Sequence, residues 1–367
     1  MTISDHRPHA AKASRSNGRI ETVCGAAQSL PKGDEILPRH IEFSEFGDPE
    51  VLTFVEAEAG KPGPDEVLIR IRAIGLNRAE AMFRRNEYIF APTLPAALGS
   101  EAAGTVIAVG QNVTHVSAGD SVNIVPGFPL GDYGIYGEIA IAPARAVIAK
   151  LPTLSFEEAA SVWTMFLTAY GPLIEEAKIQ AGEHVLISAA SSSTGLAAIQ
   201  LANLVGAIPI ALTRTNTKRQ KLLEAGAVHV VAYDEDDMVA EVMRITDGRG
   251  ASVAFDPVGG SLLPRLLKVM PWKGTIYLYG ALGGDTMTIP VLEHLGQMAT
   301  IRGWIVADLL ADPDRMNAAT TYIGQAFEAG NLRPVIDSVF GFDQMVEAHC
   351  YLESAQQFGK IVVTVTD

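Results

Sequence analysis

The 367-residue sequence predicts an α/β fold with two domains, one rich in strands and one a doubly wound parallel sheet. From Glu183 onward, apolar strands alternate with helices, as in "HVLIS", "TGLAAIQLANLVGA" and "IPIALT". Repeated βα units with apolar strands indicate a parallel sheet that helices cover on both faces. Earlier segments such as "DEVLIRIRAIGLN" are short, apolar or alternating, and bounded by glycine or proline, as strands are. The length is generous for one core and suits two domains.

The composition is that of a folded globular protein, with 48% apolar and 19% charged residues. A net charge of -14 argues against nucleic acid or an anionic membrane as the main partner. Cys24 and Cys350 lie far apart, which excludes a disulfide framework and favours a reducing compartment, so we expect a cytoplasmic protein. The uncharged stretch from Val185 to Thr213 could span a bilayer by length, but its clustered hydroxyl groups favour a buried strand, helix and strand.

Residues 1–35 are expected to form a disordered tail. The start, "MTISDHRPHAAKASRSNGR", is basic and rich in serine, which also weakly resembles a transit peptide. Further along, Ser155 and Glu158 form a capping box that predicts the start of a helix in "SFEEAASVWTMFLTAYGPL".

The stretch "VLISAASSSTGLAAIQLA" has the layout of a dinucleotide-binding turn between the first parallel strand and its helix. Ala190, Ser192 and Gly195 stand at the positions of the three usual glycines. The hydroxyl groups of Ser191, Ser192, Ser193 and Thr194 can hydrogen-bond phosphate, and the helix N-terminus favours an anion. The alternative is a serine-rich cap on an ordinary helix.

The residues after the next strand predict NADPH rather than NADH as the coenzyme. An NAD site usually has an acidic residue there, whereas this chain has Thr213 and Arg214, followed by Lys218 and Arg219. Guanidinium and ammonium groups pair with a 2′-phosphate, which a carboxylate would repel. The alternative for Lys218 and Arg219 is a solvated helix face.

Nine segments, taken in order and spacing, make the chain resemble the medium-chain dehydrogenase/reductase superfamily in its zinc-free quinone oxidoreductase (zeta-crystallin-like) branch. They are "GLNRAEAM", "LGSEAAGTVIAVG", "GDSVN", "YGEIA", "FEEAASVWTMFLTAYGPL", "ISAASSSTGLAAIQLA", "EAGAVHVV", "FDPVGG" and "FGKIVV". The resemblance implies a GroES-like catalytic domain of residues 36–160 and 306–367 and a Rossmann NADPH-binding domain of residues 161–305. It also implies a homodimer in which the sheet edges of two Rossmann domains pair.

The departures from zinc-dependent members of the superfamily imply a site without a metal. Those enzymes have a cysteine ligand near Asn77 and Gly-His-Glu where this chain reads Gly99-Ser100-Glu101. Zinc needs thiolate or imidazole ligands at fixed spacing, and neither the cysteine nor the histidine is present. We therefore expect no metal site.

The resemblance also implies roles for further residues. Asn77 and Thr168 match family residues near the nicotinamide, and Tyr88 matches a tyrosine that donates a proton in related enoyl reductases. Asn77 could instead tie its own loop, and Tyr88 could simply line the cleft. Other positions at strand ends are expected to contact the coenzyme, namely Tyr233, Val258, Gly280, Ala281 and Leu282. Phe128, Trp163 and Phe166 are candidates for an apolar acceptor site, with core packing as the alternative for Trp163.

The expected function is NADPH-dependent, zinc-independent hydride transfer to a small apolar conjugated acceptor, a quinone or an α,β-unsaturated carbonyl. The alternatives are a reductase of enoyl thioesters, for which Phe83–Arg85 could bind a CoA phosphate, and a non-catalytic NADPH-binding protein.

Overall fold

The computed structural model describes residues 37 to 366, and two large sheets organise this part of the chain. The predicted tail, residues 1–35, lies outside the described residues. The strands are β1 Arg39–Phe43, β2 Thr53–Glu56, β3 Glu66–Gly75, β4 Ala96–Ala97, β5 Ala102–Val109, β6 Ser121–Ile124, β7 Ile139–Pro143, β8 Val147–Ala149, β9 His184–Ile187, β10 Ile208–Thr213, β11 His229–Ala232, β12 Val253–Asp256, β13 Thr275–Leu278, β14 Thr300–Gly303, β15 Ile336–Gly341 and β16 Lys360–Thr364. The α-helices are α1 Arg78–Arg84, α2 Phe156–Ala159, α3 Trp163–Tyr170, α4 Ser193–Leu204, α5 Arg219–Glu224, α6 Met238–Ile245, α7 Leu263–Lys268, α8 Val291–Gln297, α9 Val306–Leu310, α10 Pro313–Glu328 and α11 Met345–Ser354.

The first large sheet is built from the beginning and the end of the described chain. Its strand order is β15-β16-β3-β5-β6-β8, with β7 paired to β3. Alternate residues of β3 are buried, including Val67, Ile69 and Ile71, because one face of the strand packs on the core. The C-terminal strand β16 pairs antiparallel with β3, so the end of the chain returns to the strand-rich part.

The second large sheet is six-stranded, parallel throughout, and ordered β11-β10-β9-β12-β13-β14. The middle strand β9 is fully buried at Val185, Leu186 and Ile187, as expected for a strand covered on both faces. The predicted α/β class, with a GroES-like domain and a doubly wound Rossmann sheet, is confirmed.

The predicted capping box is present, and the helix that follows is interrupted. Ser155 Oγ accepts the Glu158 N–H at 3.2 Å, and the Ser155 N–H donates to the Glu158 carboxylate at 2.9 Å. Helix α2 ends at Ala159, and the side-chain amide of Asn123 donates to the Ala159 carbonyl at 2.8 Å, which satisfies one acceptor at the helix end. A second helix, α3, leads into a π-helical turn at Gly171–Glu176.

Leu37–Asp367 form one compact unit, so the domain boundaries at residues 160 and 305 stay a prediction. Between residues 37 and 366, no helix combines the length and the apolar character needed to cross a membrane.

Candidate active site

The serine-rich turn has the local structure of a tight strand-to-helix connection. Helix α4 starts at Ser193, and Ser192 caps it by accepting the Gly195 N–H at 3.1 Å. The left-handed backbone that such a turn requires falls on Ala189, with φ +44°, one residue before the predicted glycine position at Ala190. A non-glycine residue in this conformation costs about 1–2 kcal/mol, which the surrounding packing must offset. The cap role of Ser192 was the alternative interpretation, and it leaves the Ser192 O–H able to donate.

Gly195 provides the close helix-to-strand contact expected of the third glycine. A Cβ at this position would lie 2.7 Å from the Ala189 carbonyl oxygen and from Ala190 Cα. Any larger residue would push the start of α4 away from the turn, which would spread the N–H groups that face an anion.

The predicted cations differ in their surroundings. Lys218 is half-buried, and its Nζ donates to Ser191 Oγ at 3.2 Å and to the Gln357 carbonyl at 2.8 Å. Burial lowers the pKa of Lys218. Arg214 is exposed and makes no side-chain hydrogen bond to the described residues. The Arg219 side chain is 37% exposed and is held in an ion pair with Asp236 at 2.9 Å, which would compete with a phosphate for its guanidinium.

The other predicted coenzyme residues lie at the carboxyl edge of the same sheet. The Tyr233 N–H donates to the Thr213 carbonyl at 2.9 Å, which places these two residues beside Arg214. The loops after β12 and β13 are joined by a bond from the Leu282 N–H to the Pro257 carbonyl at 2.9 Å. The structure therefore gathers one set of strand ends, comprising Thr213, Arg214, Tyr233, Val258, Gly280, Ala281 and Leu282. Their contact with a coenzyme stays a prediction.

Asp256 holds the backbone of the turn that follows β12, at Val258 and Gly259. Its carboxylate accepts the Val258 N–H at 3.0 Å, the Gly259 N–H at 2.9 Å and the Ser188 hydroxyl. Burial raises the pKa of Asp256, and these three donors oppose that rise.

A C-terminal segment connects the serine-rich turn to the strand-rich part. The Gly359 N–H donates to the Ser191 carbonyl at 3.0 Å, and Ser192 and Gly359 form an isolated parallel bridge. The next residue, Lys360, starts β16 and points its side chain to Asn77. The motif "FGKIVV" contributed to the resemblance, but the sequence did not identify Lys360 as a site residue, because its partners are remote in the chain.

Asn77 is held by buried charges. Lys360 Nζ lies 2.6 Å from Asn77 Oδ1 and 2.6 Å from Glu101 Oε2. Asn77 Nδ2 donates to the Gly75 carbonyl at 3.1 Å. Asn77 therefore does tie its loop, as the alternative interpretation held, and a role beside the nicotinamide stays a prediction.

Glu80 is the buried end of a directed chain of hydrogen bonds. Arg84 Nη1 lies 2.9 Å from His349 Nδ1, His349 Nε2 lies 3.2 Å from Tyr136 Oη, and Tyr136 donates to Glu80 at 2.6 Å. Because arginine only donates, His349 accepts at Nδ1 and carries its proton on Nε2. Burial lowers the pKa of His349 to about 3, so the ring is neutral.

Ser100, at the position of the zinc-binding histidine, bonds to the same carboxylate. Its backbone N–H and its hydroxyl donate to Glu80 Oε1 at 3.1 and 2.8 Å. Burial raises the pKa of Glu80, and the hydrogen-bond donors around its carboxylate partly oppose this rise.

Within residues 37 to 366, no group of three or more His, Cys, Asp or Glu side chains is arranged to hold a metal ion.

Tyr88 is half-buried and follows α1. Burial and the negative charge of Glu80 raise the pKa of Tyr88, so the phenol keeps its proton at neutral pH. Its ring meets Phe90 edge-on, with 6.1 Å between the ring centroids. Ile89 and Phe90 are exposed, which makes an apolar rim beside the phenol.

Helix α3 is buried except for Thr164 and Thr168, which share one face of the helix. The Thr168 hydroxyl donates to the Thr164 carbonyl at 2.6 Å, whereas the Thr164 hydroxyl is buried without a hydrogen-bond partner among the described residues. Thr164 is thus a polar candidate that the sequence did not single out.

Three sequence-based expectations need correction. Phe166 is fully buried and packs edge-on against Phe327, so it belongs to the core, as does Trp163. Phe128 is also part of that core. In the segment Phe83–Arg85, Phe83 and Arg84 are buried and both arginines pair with Glu353, so only the exposed Arg85 is left to contact a CoA phosphate.

Known proteins resemble this chain over most of its length. Two family models match it, an alcohol dehydrogenase GroES-like domain over residues 63–153 and a zinc-binding dehydrogenase over residues 225–363. Quinone oxidoreductase 1 of Escherichia coli (strain K12) is 35% identical over 264 residues, which cover 71% of this chain and 79% of that protein.

Solved structures also resemble this chain over most of its length. The crystal structure of Escherichia coli quinone oxidoreductase complexed with NADPH matches with a TM-score of 0.82 and 28% identity, covering 89% of this chain and 99% of that one. The CurK enoyl reductase structure matches with a TM-score of 0.80 and 27% identity, covering 90% and 99%. With Asn77 and Ser100 in place of zinc ligands, the chain belongs to the zinc-free quinone oxidoreductase branch of the medium-chain dehydrogenase/reductase superfamily.

Proposed function

We propose that the protein is an NADPH-dependent, metal-independent reductase of quinones or α,β-unsaturated carbonyls. The observation that carries the proposal is the gathering of the serine-rich turn, the cation Lys218 and the strand ends at one edge of the parallel sheet. In open parallel sheets, ligands bind at this edge.

The residues at this edge fit a phosphorylated dinucleotide. In the turn from Ala190 to Gly195, Gly195 lets the start of α4 lie close to the strand, which brings the helix N-terminus to the position where a phosphate would bind. Lys218 and Arg214 supply positive charge after β10, where an NAD site would carry an acid. Tyr233 follows the edge strand β11, its N–H donates to the Thr213 carbonyl at 2.9 Å, and Arg265 lies over its ring at 5.5 Å.

Reduction of a conjugated acceptor adds one hydride and one proton to it. When bound, NADPH supplies the hydride. Tyr88 holds a proton on its phenol and can donate it to the developing oxyanion or carbanion, and water is the alternative donor. Asn77 is oriented at the end of β3, where its carboxamide can position the reacting groups.

A second candidate is reduction of enoyl thioesters, which the likeness to CurK enoyl reductase supports. The exposed side chains Ile89 and Phe90 beside Tyr88 offer apolar contact to an acyl chain. Of the basic cluster that the sequence offered for a CoA phosphate, Arg84 is buried and the exposed Arg85 is paired with Asp48 and Glu353, so quinones and simple enones are preferred.

The test measures NADPH oxidation with 1,4-benzoquinone, a simple enone and crotonyl-CoA. Turnover of the first two above the third supports the proposal, and faster turnover of crotonyl-CoA favours the thioester reductase. Tight NADPH binding without turnover of any acceptor would instead indicate a non-catalytic nucleotide-binding protein. Calorimetry with NADPH and NADH tests the coenzyme assignment separately.

We also propose a cytoplasmic homodimer formed through the open edge of the parallel sheet. Strand β14 is the last strand of that sheet and pairs on one side only. Beside it, α8 exposes apolar side chains, with Leu292 83% exposed and Leu295 64% exposed. Pairing β14 with a second copy would satisfy the strand edge and cover these side chains.

A further inference from the structure

The ammonium group of Lys360 lies between the side chains of Asn77 and Glu101. Lys360 is 1% exposed and Glu101 is 0% exposed, and Nζ lies 2.6 Å from an oxygen of each partner. Complete burial of a cation is unfavourable unless charged and polar partners surround it. Gly75 makes room for this side chain, since a Cβ there would lie 2.9 Å from Lys360 Cε.

The ammonium determines which end of the Asn77 carboxamide points where. An ammonium only donates, so Asn77 must present Oδ1 to Lys360. Nδ2 is then turned to the Gly75 carbonyl at 3.1 Å and lies 3.4 Å from Glu101 Oε2. Without the ammonium, Oδ1 loses its Lys360 donor, and only the acceptors at Nδ2, the Gly75 carbonyl and the more distant Glu101 Oε2, would hold the carboxamide in this orientation.

The same charge pair connects Asn77 to the rest of the site. Glu101 Oε1 accepts the Thr164 N–H at 2.9 Å, at the start of α3. Lys360 follows Gly359, which is bonded to the serine-rich turn at Ser191. The buried Lys360–Glu101 ion pair therefore fixes the position of the Asn77 carboxamide relative to the helix that carries Thr164 and relative to the serine-rich turn.

We propose that Lys360 is the positioning residue of this active site: its buried ammonium orients the Asn77 carboxamide for hydride transfer. The inference rests on the proposed function, in which Asn77 lies beside the reacting groups. Lys360 itself touches neither acceptor nor coenzyme and acts through Asn77.

A double-mutant cycle tests this with NADPH and 1,4-benzoquinone. Lys360→Met should lower kcat by about 10- to 100-fold, the range expected when a reacting group is misplaced, and leave the KM for NADPH unchanged. In an Asn77→Ala background the same change should have little further effect. Fully multiplicative effects would show that Lys360 does not act through Asn77 and would overturn the inference.

Two further variants separate positioning from folding. Lys360→Met leaves Glu101 as an unpaired buried charge, so Lys360→Met with Glu101→Gln removes both charges and should show the same kcat loss in a folded protein. Lys360→Arg keeps a cation and should restore part of kcat. The matched control is Lys150→Met, which removes an ammonium bonded to the Leu151 carbonyl at 3.1 Å and should keep wild-type kcat.

A measurement without coenzyme distinguishes this inference from the proposed function. The side-chain amide signal of Asn77 in a 15N–1H NMR spectrum, assigned by its loss in Asn77→Ala, should be a single pair in the wild type. It should shift and broaden in the Lys360→Met, Glu101→Gln variant. An unchanged signal would overturn the inference, whereas absence of turnover by the wild type with every acceptor would overturn only the proposed function.

Discussion

The neutral state of His349 makes a specific prediction about pH. The ring accepts a hydrogen bond from Arg84 and donates one to Tyr136, so a second ring proton would face the Arg84 guanidinium. Burial, together with this neighbouring positive charge, lowers the pKa of His349 from 6.5 to about 3. The unfolded chain binds a proton below about pH 6.5 and the folded chain does not, so stability falls as the pH falls through that window.

The size of the stability loss follows from the difference between the unfolded and folded pKa values of His349. Each pH unit between the two pKa values is worth about 1.4 kcal/mol. Moving from about pH 7.5 to about pH 5.0 covers some 1.5 units below the unfolded pKa and should remove about 2 kcal/mol of the free energy of unfolding. The full loss would be reached only near the folded pKa of about 3.

The perturbation is His349→Gln. Glutamine can accept from Arg84 through its oxygen and donate to Tyr136 through its nitrogen, but it does not titrate. Urea unfolding of both proteins at the two pH values, followed by tryptophan fluorescence, isolates the histidine because all other titrating groups are shared. The wild type should lose about 2 kcal/mol more than the variant. Equal losses would refute the assignment of a neutral, buried His349.

Three further predictions concern the coenzyme, the turn and assembly. Lys218→Met should weaken NADPH binding by about 10- to 100-fold in calorimetry and change NADH binding little, because only NADPH carries the extra phosphate. Equal losses of affinity for NADPH and NADH would contradict the proposed contact of Lys218 with the extra phosphate. Gly195→Ala should lower the free energy of unfolding by about 1–3 kcal/mol, whereas Gly324→Ala, inside α10 with its nearest neighbour at 3.7 Å, should leave it unchanged or raise it by up to about 1 kcal/mol in thermal melts. Leu292→Asp should convert a dimer to a monomer in size exclusion with light scattering, and a monomeric wild type would reject the dimer.

Local patterns predicted the fold class well because their information lies within short segments. Apolar strands alternating with helices indicated the parallel sheet, and the capping box at Ser155 marked the start of α2. The turn was located to within one residue, since its left-handed position is Ala189 and not Ala190. Arg219 and Phe166 were assigned differently by sequence, because an ion pair with Asp236 and contact with Phe327 depend on chain segments that the local pattern does not include.

The sequence by itself determined the α/β class with a GroES-like part and a parallel Rossmann sheet, the strand-to-helix connection at the serine-rich turn, and the absence of zinc ligands at Asn77 and Ser100. Only the tertiary structure placed Lys360 on Asn77, across 283 residues of chain, and joined both to Glu101. Periodicity and turn chemistry act over a few residues, so they are legible in the sequence. A buried charge finds its partners through the pairing of β16 with β3, which is decided only when the whole chain has packed.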